Sequence, residues 1–143
     1  MALPPLLLQT GGSLAAILAL AGLAWWLRLG GAPLLTNEEA VRRAAGEVED
    51  GFNPVVIARD KDGRAALARD AQGQIMVIKR HGNRFAGRLL GPGARAVIWR
   101  DPGVADGLEV QCGEARFGKV YLDVPDPDAW AAAINALNEP HHA

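Results

Sequence analysis

The sequence predicts an α+β protein with an N-terminal transmembrane helix, a short amphipathic helix, an antiparallel seven-strand meander and a C-terminal helix. Three observations predict this fold class. Residues 2–27 contain no charged side chain. Short apolar runs separated by glycine-containing turns fill residues 54–124, a pattern typical of antiparallel strands. The end of the chain, from residue 126 onward, carries apolar side chains at helical spacing.

Size and charge limit the classes of protein to which this chain can belong. It has 143 residues and a formal net charge of -1, which is enough chain for one domain and its attachments. A nearly neutral chain has no strong field to attract nucleic acid, so no nucleic-acid partner is expected. Most of the 15 basic residues are arginine, and alanine and glycine are abundant, a bias typical of GC-rich bacterial genes. The single cysteine, Cys112, excludes an internal disulfide bond.

The charge-free N-terminal run is long enough to cross a bilayer, because a helix needs about 20 apolar residues to do so. The run ends at Trp25 and Trp26, and Arg28 follows them. An aromatic pair beside a basic residue is typical of an anchor at the membrane–water interface. A cleaved signal peptide is the main alternative, but no basic residue precedes the run. The sequence therefore predicts a retained membrane anchor over residues 1–30.

The distribution of basic residues predicts the orientation of this anchor. None precedes the span, whereas Arg28, Arg42 and Arg43 follow it within about 20 residues. Cytoplasmic flanks carry the excess of lysine and arginine. We therefore expect a single-pass protein of the bacterial inner membrane with its N-terminus outside and its C-terminal domain in the cytoplasm.

Small residues recur within the predicted span and favour close packing against another helix. The set that defines this helix-packing stripe is Gly11, Ala15, Ala19 and Gly22. It predicts a partner that is itself an integral membrane protein, in addition to the lipid bilayer. The alternative is that alanine and glycine are simply frequent in this chain.

Residues 31–53 are predicted to form a linker and a juxtamembrane helix. The stretch "GGAP" ends the span, and "TNEEAVRRAAGEVEDGF" has the signals of a short helix. Thr36 or Asn37 can cap its N-terminus, where Glu38 and Glu39 suit the helix dipole. We expect this amphipathic helix to lie at the membrane surface or against the following domain.

The pattern changes to short strands at Pro54. Glycine-containing turns, "KDG", "AQG" and "HGN", separate the first four apolar runs and are typical of tight hairpins. The near-repeat of "VIARDKDG" and "ALARDAQG" ten residues later is explained by one strand plus one turn, not by a solenoid, whose repeats are longer. The seven predicted strands are "VVIARD", "RAALARD", "QIMVIKR", "NRFAGRLL", "ARAVIWR", "GLEVQCG" and "FGKVYLDV".

A C-terminal amphipathic helix is predicted within "DVPDPDAWAAAINALNEP". Asp126 is expected at its N-cap and Pro127 at its first position. Trp130, Ile134 and Leu137 follow at spacings that place them on one face of the helix. These three side chains are therefore candidates for a plug that fills the core of the β-rich domain, residues 54–140.

Seven strands followed by a helix with tryptophan in its first half resemble the pleckstrin-homology (PH) fold, and "DPDAWAAAINAL" is similar to the end of such domains. The resemblance covers about residues 54–138. It implies a bent seven-stranded barrel that is plugged at one end by the helix, with Trp130 in the core. Phosphoinositide-binding members carry a basic motif on the first hairpin. In this chain the hairpin is "ARDKDGRA", where Asp60 and Asp62 offset the cations, so the resemblance does not extend to headgroup binding.

The most basic stretch of the chain is "KRHGNRFAGR", which spans the tip of a predicted hairpin. Clustered cations at such a tip would contact anionic lipids or an acidic partner. The alternative is an ordinary solvated turn. The cations that form this candidate site are Lys79, Arg80, Arg84 and Arg88.

No catalytic or metal-binding constellation is present in the sequence. His81 and Cys112 could act together only if the fold brings them into one cleft, and "EVQCGEA" matches no nucleophile motif. The histidines and the single cysteine lack the spacing of a metal site, so no metal and no cofactor are expected. Three aromatic residues, Trp99, Phe117 and Tyr121, are candidates for a partner surface if they point outward.

The expected function is therefore non-catalytic. We interpret the chain as a single-pass membrane accessory, scaffolding or assembly subunit of an inner-membrane complex. One anchor, one small domain and no catalytic motif are the observations behind this interpretation. The alternative is a membrane-tethered sensor or a module that binds a ligand or lipid in its β-rich domain.

Overall fold

The computed structural model describes residues 4–27, 33–100, 102–103 and 106–138. The chain divides into two compact units, Met1–Ala32 and Pro33–Ala143. Arg28, expected to anchor the span at the interface, lies outside the described residues.

The first unit contains helix α1, Pro5–Leu27, which has 23 residues. Its segment Pro5–Trp26 is long and apolar enough to cross a membrane. Proline suits the first position of a helix, where a missing N–H leaves no bond unmade. The predicted N-terminal helix is confirmed as an apolar helix of membrane-spanning length.

The second unit is a mixture of helices and antiparallel strands, which confirms the predicted α+β class. In chain order, its described residues form one helix, seven strands and one helix. The elements are α2 (Glu38–Val48), β1 (Pro54–Arg59), β2 (Ala65–Asp70), β3 (Ile75–His81), β4 (Arg84–Leu89), β5 (Arg95–Trp99), β6 (Gly107–Gln111), β7 (Lys119–Leu122) and α3 (Pro127–Ala136).

The strands form two antiparallel sheets, and within each sheet the paired strands are consecutive in the sequence. The first sheet has the order β1-β2-β3-β4, and the second has the order β5-β6-β7. The three turns of the first sheet contain Gly63, Gly73 and Gly82, with φ of 71°, 84° and 65°. Glycine adopts this left-handed region without a steric cost, so these residues permit the tight turns that the sequence predicts.

Strands β2 and β3 are buried on both faces because a hydrophobic cluster covers each side of the first sheet. Alternate residues of a strand point to opposite faces. Leu67 and Val77 therefore join the first core, with the second sheet and α3. Met76 and Ile78 join the second core, with α2 and Leu35.

Helix α2 packs against the first sheet, which decides between the two positions expected for it. Asn37 is its N-cap, and the Asn37 side chain accepts a hydrogen bond of 2.8 Å from the backbone N–H of Ala40. The helix contacts β4 closely at Gly87, where an added Cβ would lie 2.8 Å from Cγ2 of Val48. A glycine at this position thus allows the helix to approach the sheet. The linker region 33–53 belongs to the same compact unit as the strands.

Helix α3 places Trp130 and Ile134 in the first core, and Leu137 packs partly buried against it. Asp126 stands at the N-cap position, but its backbone is left-handed, with φ of 54°, and its side chain makes no capping hydrogen bond. The predicted N-cap position of Asp126 is confirmed, although its side chain does not bond to the free N–H groups of the helix. An ordinary capping residue has extended backbone, from which its side chain can reach the free N–H groups.

Asn135 of α3 bonds to the edge of β5, and Asn138, just after α3, bonds to the residues that precede this strand. The Asn135 amide accepts a 3.0 Å hydrogen bond from Ala96 N–H and donates one of 3.0 Å to the Ala96 carbonyl. Asn138 binds the backbone of Gly93 and Ala94 in the same way. An unpaired strand edge invites association with other chains, and these side chains block it.

Candidate partner-binding surface

The outward face of the second sheet carries a cluster of exposed aromatic and apolar side chains. Ala96, Leu108 and Val120 belong to the first core, so the residues that alternate with them point away from it. In the middle of this outward face, Val97 pairs with Glu109, and Glu109 pairs with Tyr121. Trp99 is the next outward residue of β5. We call Val97, Trp99, Glu109 and Tyr121 the aromatic face.

The apolar members of the aromatic face are accessible. Val97 is 50% exposed, Trp99 is 51% exposed and Tyr121 is 60% exposed. The rings of Trp99 and Tyr121 contact each other edge to face, with centroids 6.3 Å apart and an interplanar angle of 71°. This geometry is favourable for aromatic pairs, and tryptophan and tyrosine are enriched at protein interfaces. Phe117, the third aromatic candidate from the sequence, is buried in the first core.

Glu109 lies under the aromatic residues and holds Trp99 in place. It is only 5% exposed, although its strand parity directs it away from the core. Its carboxylate accepts hydrogen bonds from Trp99 Nε1 at 2.9 Å and from Gln111 Nε2 at 3.5 Å, and it forms an ion pair with Lys119 Nζ at 3.2 Å. The hydrogen bond from Trp99, with help from Lys119, lowers the pKa of Glu109 below the ordinary value for glutamate. No signal in the sequence distinguishes Glu109, because an acid within "LEVQ" has the pattern of an ordinary exposed strand residue.

The lowered pKa of Glu109 predicts a pH-dependent contribution to stability. A carboxylate with a lowered pKa stabilises the folded state fully above its unfolded pKa, about 4.3, and loses this effect as the pH falls through the folded value. Glu109→Gln keeps an acceptor for Trp99 but has no charge for Lys119. The stability difference between the wild-type chain and Glu109→Gln should therefore be constant from pH 7 to 5 and shrink below about pH 4. Urea unfolding at several pH values measures it, and a difference that stays constant down to pH 3 would contradict the assignment.

The basic stretch does not form one free patch. Lys79 and Arg88 lie against the ring of Phe117, with Lys79 Nζ 4.4 Å and Arg88 Cζ 5.1 Å from its centroid. Lys79 also donates to the Phe117 carbonyl, and Arg88 pairs with Glu114 at 2.8 Å. These two cations thus fix the loop between β6 and β7 on the first sheet.

The other two cations of this stretch lie on opposite faces of the first sheet. Arg80 follows Lys79 directly in β3, so its side chain points to the opposite face of the sheet, on the side of α2. Arg84 is exposed and pairs across the hairpin with His81. The four residues expected to bind lipid or an acidic partner are therefore distributed over two faces, and half of them are engaged in internal contacts.

The residues singled out on α1 are accessible. Trp25 and Trp26 are exposed at its C-terminal end. The helix-packing stripe is also exposed, and a Cβ added at Gly11 or Gly22 would meet nothing within 4 Å. A helix from another protein could thus approach the backbone of α1 on this side.

The two residues considered for catalysis have separate surroundings. Cys112 packs against the first core, whereas His81 is exposed at the tip of the β3–β4 hairpin. Across the described ranges, no group of three or more His, Cys, Asp or Glu side chains could hold a metal ion.

An open cleft of about 420 Å³ lies between β1 and the beginning of α3, and it bears on the ligand-binding alternative. Two of its polar side chains are used internally. Arg59 donates a 2.6 Å hydrogen bond to the Thr36 carbonyl, and Asp60 accepts one of 2.7 Å from Asp123 N–H. Because these groups are already bonded, the cleft offers fewer free polar partners to a ligand than its lining suggests.

The protein thus contains a small α+β domain that carries the aromatic face, and an apolar helix of membrane-spanning length precedes this domain in the chain. Comparisons with protein-family models, with curated proteins and with solved structures found no significant match. The resemblance to the PH fold therefore remains a prediction from the order of the elements.

Proposed function

We propose that this protein is a non-catalytic, single-pass membrane accessory subunit, of a scaffolding or assembly kind, that docks a protein partner on its aromatic face. The exposure of Val97, Trp99 and Tyr121 on one sheet face carries the proposal. Isolated apolar residues on a surface are ordinary, but a contiguous aromatic cluster marks an interaction site. The residues that dominate interfaces are enriched in tryptophan and tyrosine.

Preorganisation of Trp99 supports docking of a protein. Its N–H is bonded to a nearly buried carboxylate and its ring is packed against Tyr121, so its side chain loses little freedom when a partner binds. Interfaces gain affinity when their anchor residues are already ordered. The bonds of Asn135 occupy the β5 edge at Ala96, whereas the outward face of the same strand carries the exposed Val97 and Trp99.

In this proposal α1 is a retained anchor in the bacterial inner membrane, with the N-terminus outside and the β-rich domain in the cytoplasm. The connector between Leu27 and the buried Leu35 has seven residues, 28–34, and an extended chain spans at most about 3.3–3.6 Å per residue. Such a connector keeps an anchored domain near the bilayer, where another integral membrane protein is the expected partner. The helix-packing stripe of α1 would provide a second contact.

The domain is proposed to be PH-like. The resemblance implies seven strands followed by a helix with a buried tryptophan. The four-stranded sheet, the three-stranded sheet and α3 follow one another in this order, and Trp130 is buried. The membrane-tethered sensor or ligand-binding module is the second candidate function, and the cleft beside β1 is the observation in its favour.

Capture of the tagged chain from native membranes in mild detergent, followed by mass spectrometry, tests the proposed function. The wild-type chain should recover a stoichiometric membrane protein. Trp99→Ala should weaken this recovery by roughly 30-fold, because truncation of a central interface residue costs about 2 kcal/mol or more. Val97→Ala should weaken it less.

The matched control is Val55→Ala, which removes a similarly exposed valine from β1 in the other sheet. It should leave the recovery unchanged. Circular dichroism must show that each variant keeps its strands. Recovery of the chain alone would overturn the accessory function, and full recovery with Trp99→Ala would move the docking site elsewhere.

A further inference from the structure

The aromatic face has a positively charged end. Arg95 pairs with Gln111 across β5 and β6, and Gln111 pairs with Lys119 across β6 and β7, so the three residues form one row next to Val97 and Tyr121. Arg95 and Lys119 are both exposed. Adjacent strands lie about 4.8 Å apart, and two residues along a strand span about 7 Å. The two cations are thus roughly 10 Å apart, and their row lies about 7 Å from the row that contains Val97 and Tyr121.

This positive charge is only partly compensated. Lys119 shares its charge with Glu109, which is nearly buried, and no carboxylate among the described residues pairs with Arg95. Beyond the other end of the face, Arg100 is paired with both Asp106 and Asp128. The face is therefore apolar and aromatic in its centre, with unmatched positive charge at the Arg95–Lys119 end.

We propose that the segment of the protein partner that docks here is acidic and apolar, with an apolar side chain on Val97, Trp99 and Tyr121 and a carboxylate at Arg95 and Lys119. In an extended segment these two side chains would be two residues apart, because that spacing matches the distance between the two rows. Complementary charge would orient the segment along the sheet and speed its association. This inference rests on the proposed function of the aromatic face.

An anionic membrane surface also combines with aromatic and basic residues, but the details favour a protein segment. Interfacial tryptophans in membranes face the headgroups with their polar edge. The N–H of Trp99 is instead directed to Glu109, so the polar edge of this ring is already occupied. The Glu109 carboxylate beneath the rings also disfavours approach of a continuous anionic surface.

Synthetic peptides provide the direct test with the full-length chain in nanodiscs of phosphatidylcholine. The probe is an eight-residue peptide with serine at every second position and leucine and aspartate in turn at the positions between. The control peptide has lysine in place of each aspartate. The acidic peptide should bind about tenfold more tightly than the basic one, and added salt should reduce this preference. Equal binding of the two peptides, or binding of neither, would overturn the proposal.

Variants locate the effect on this face. Arg95→Glu should reverse the preference between the two peptides, because it replaces attraction of the carboxylates with repulsion. Arg43→Glu makes the same charge change at an exposed position of α2 and should leave the preference unchanged. An equal effect of both variants would mean that only the net charge matters and would overturn the proposal.

The remaining outcomes separate this inference from the proposed function and from other occupants. If capture from native membranes is lost with Trp99→Ala but is unaffected by Arg95→Glu, the docking face stands and the acidic segment is wrong.

In a Cys112→Ala background, an environment-sensitive dye at Tyr121→Cys reports on a membrane occupant. A shift of its emission in nanodiscs of phosphatidylglycerol without peptide would assign the face to anionic lipid, and a disulfide between two Tyr121→Cys chains would assign it to a second copy.

Discussion

Trp130→Ala is expected to destabilise the β-rich unit by about 3–5 kcal/mol, the usual cost of removing a buried tryptophan. Trp130 is buried in the first core beside Ala131 and Ile134 of the same helix. It is the largest side chain that α3 contributes to this core. Truncation to alanine removes its contacts and leaves a cavity that the two sheets and the helix cannot fill without distortion.

Urea unfolding of the full-length chain in mild detergent, followed by the circular dichroism of the strands, measures the effect of Trp130→Ala. Trp26→Ala is the matched control, because it removes an exposed tryptophan from α1 and should change the stability by less than about 0.5 kcal/mol. A loss below about 1 kcal/mol for Trp130→Ala would mean that α3 is peripheral to the core.

Local signals explain why the sequence predicted the elements of the second unit well. The predicted strand "QIMVIKR" corresponds to β3, Ile75–His81, and the strand "GLEVQCG" to β6, Gly107–Gln111. The predicted cap Asn37 accepts its hydrogen bond from Ala40. Strand period, turn glycines and helix caps all depend on neighbours within a few residues, so a single sequence contains them.

Contacts between distant segments explain what the sequence did not predict. Nothing local shows that Phe117 is buried between Lys79 and Arg88, because the contact joins residues more than 25 positions apart. The same holds for the α2 helix, whose two possible positions differ only in their tertiary partners. The left-handed backbone of Asp126 is a local feature, but its sequence, acid before proline, has the usual form of a capped helix start.

The sequence predicted part of the candidate surface, because residue type is visible in the sequence whereas the register between strands is not. Trp99, Phe117 and Tyr121 could be recognised as possible interface residues from their type alone. Strand parity places Trp99 and Tyr121 away from the core, but only the register between β5, β6 and β7 places them over Glu109. The burial of that carboxylate follows from its neighbours on two other strands, which no pattern within one strand reveals.

Leu35→Ala is expected to destabilise the same unit by about 2–5 kcal/mol, the range for truncation of a fully buried leucine. Leu35 is 0% exposed in the second core, although it lies in the linker before α2. Its backbone N–H donates a 2.8 Å hydrogen bond to the Gly63 carbonyl, and Arg59 binds the neighbouring Thr36 carbonyl. The linker is therefore part of the packed domain from this point onward.

Leu34→Ala provides the matched control for Leu35→Ala, since it makes the same change one residue earlier at a side chain that is 45% exposed. It should alter the urea unfolding free energy by no more than about 0.5 kcal/mol. Similar losses for both variants would mean that Leu35 is not an anchor of the linker. A large loss for Leu35→Ala alone would show that the domain begins at the linker.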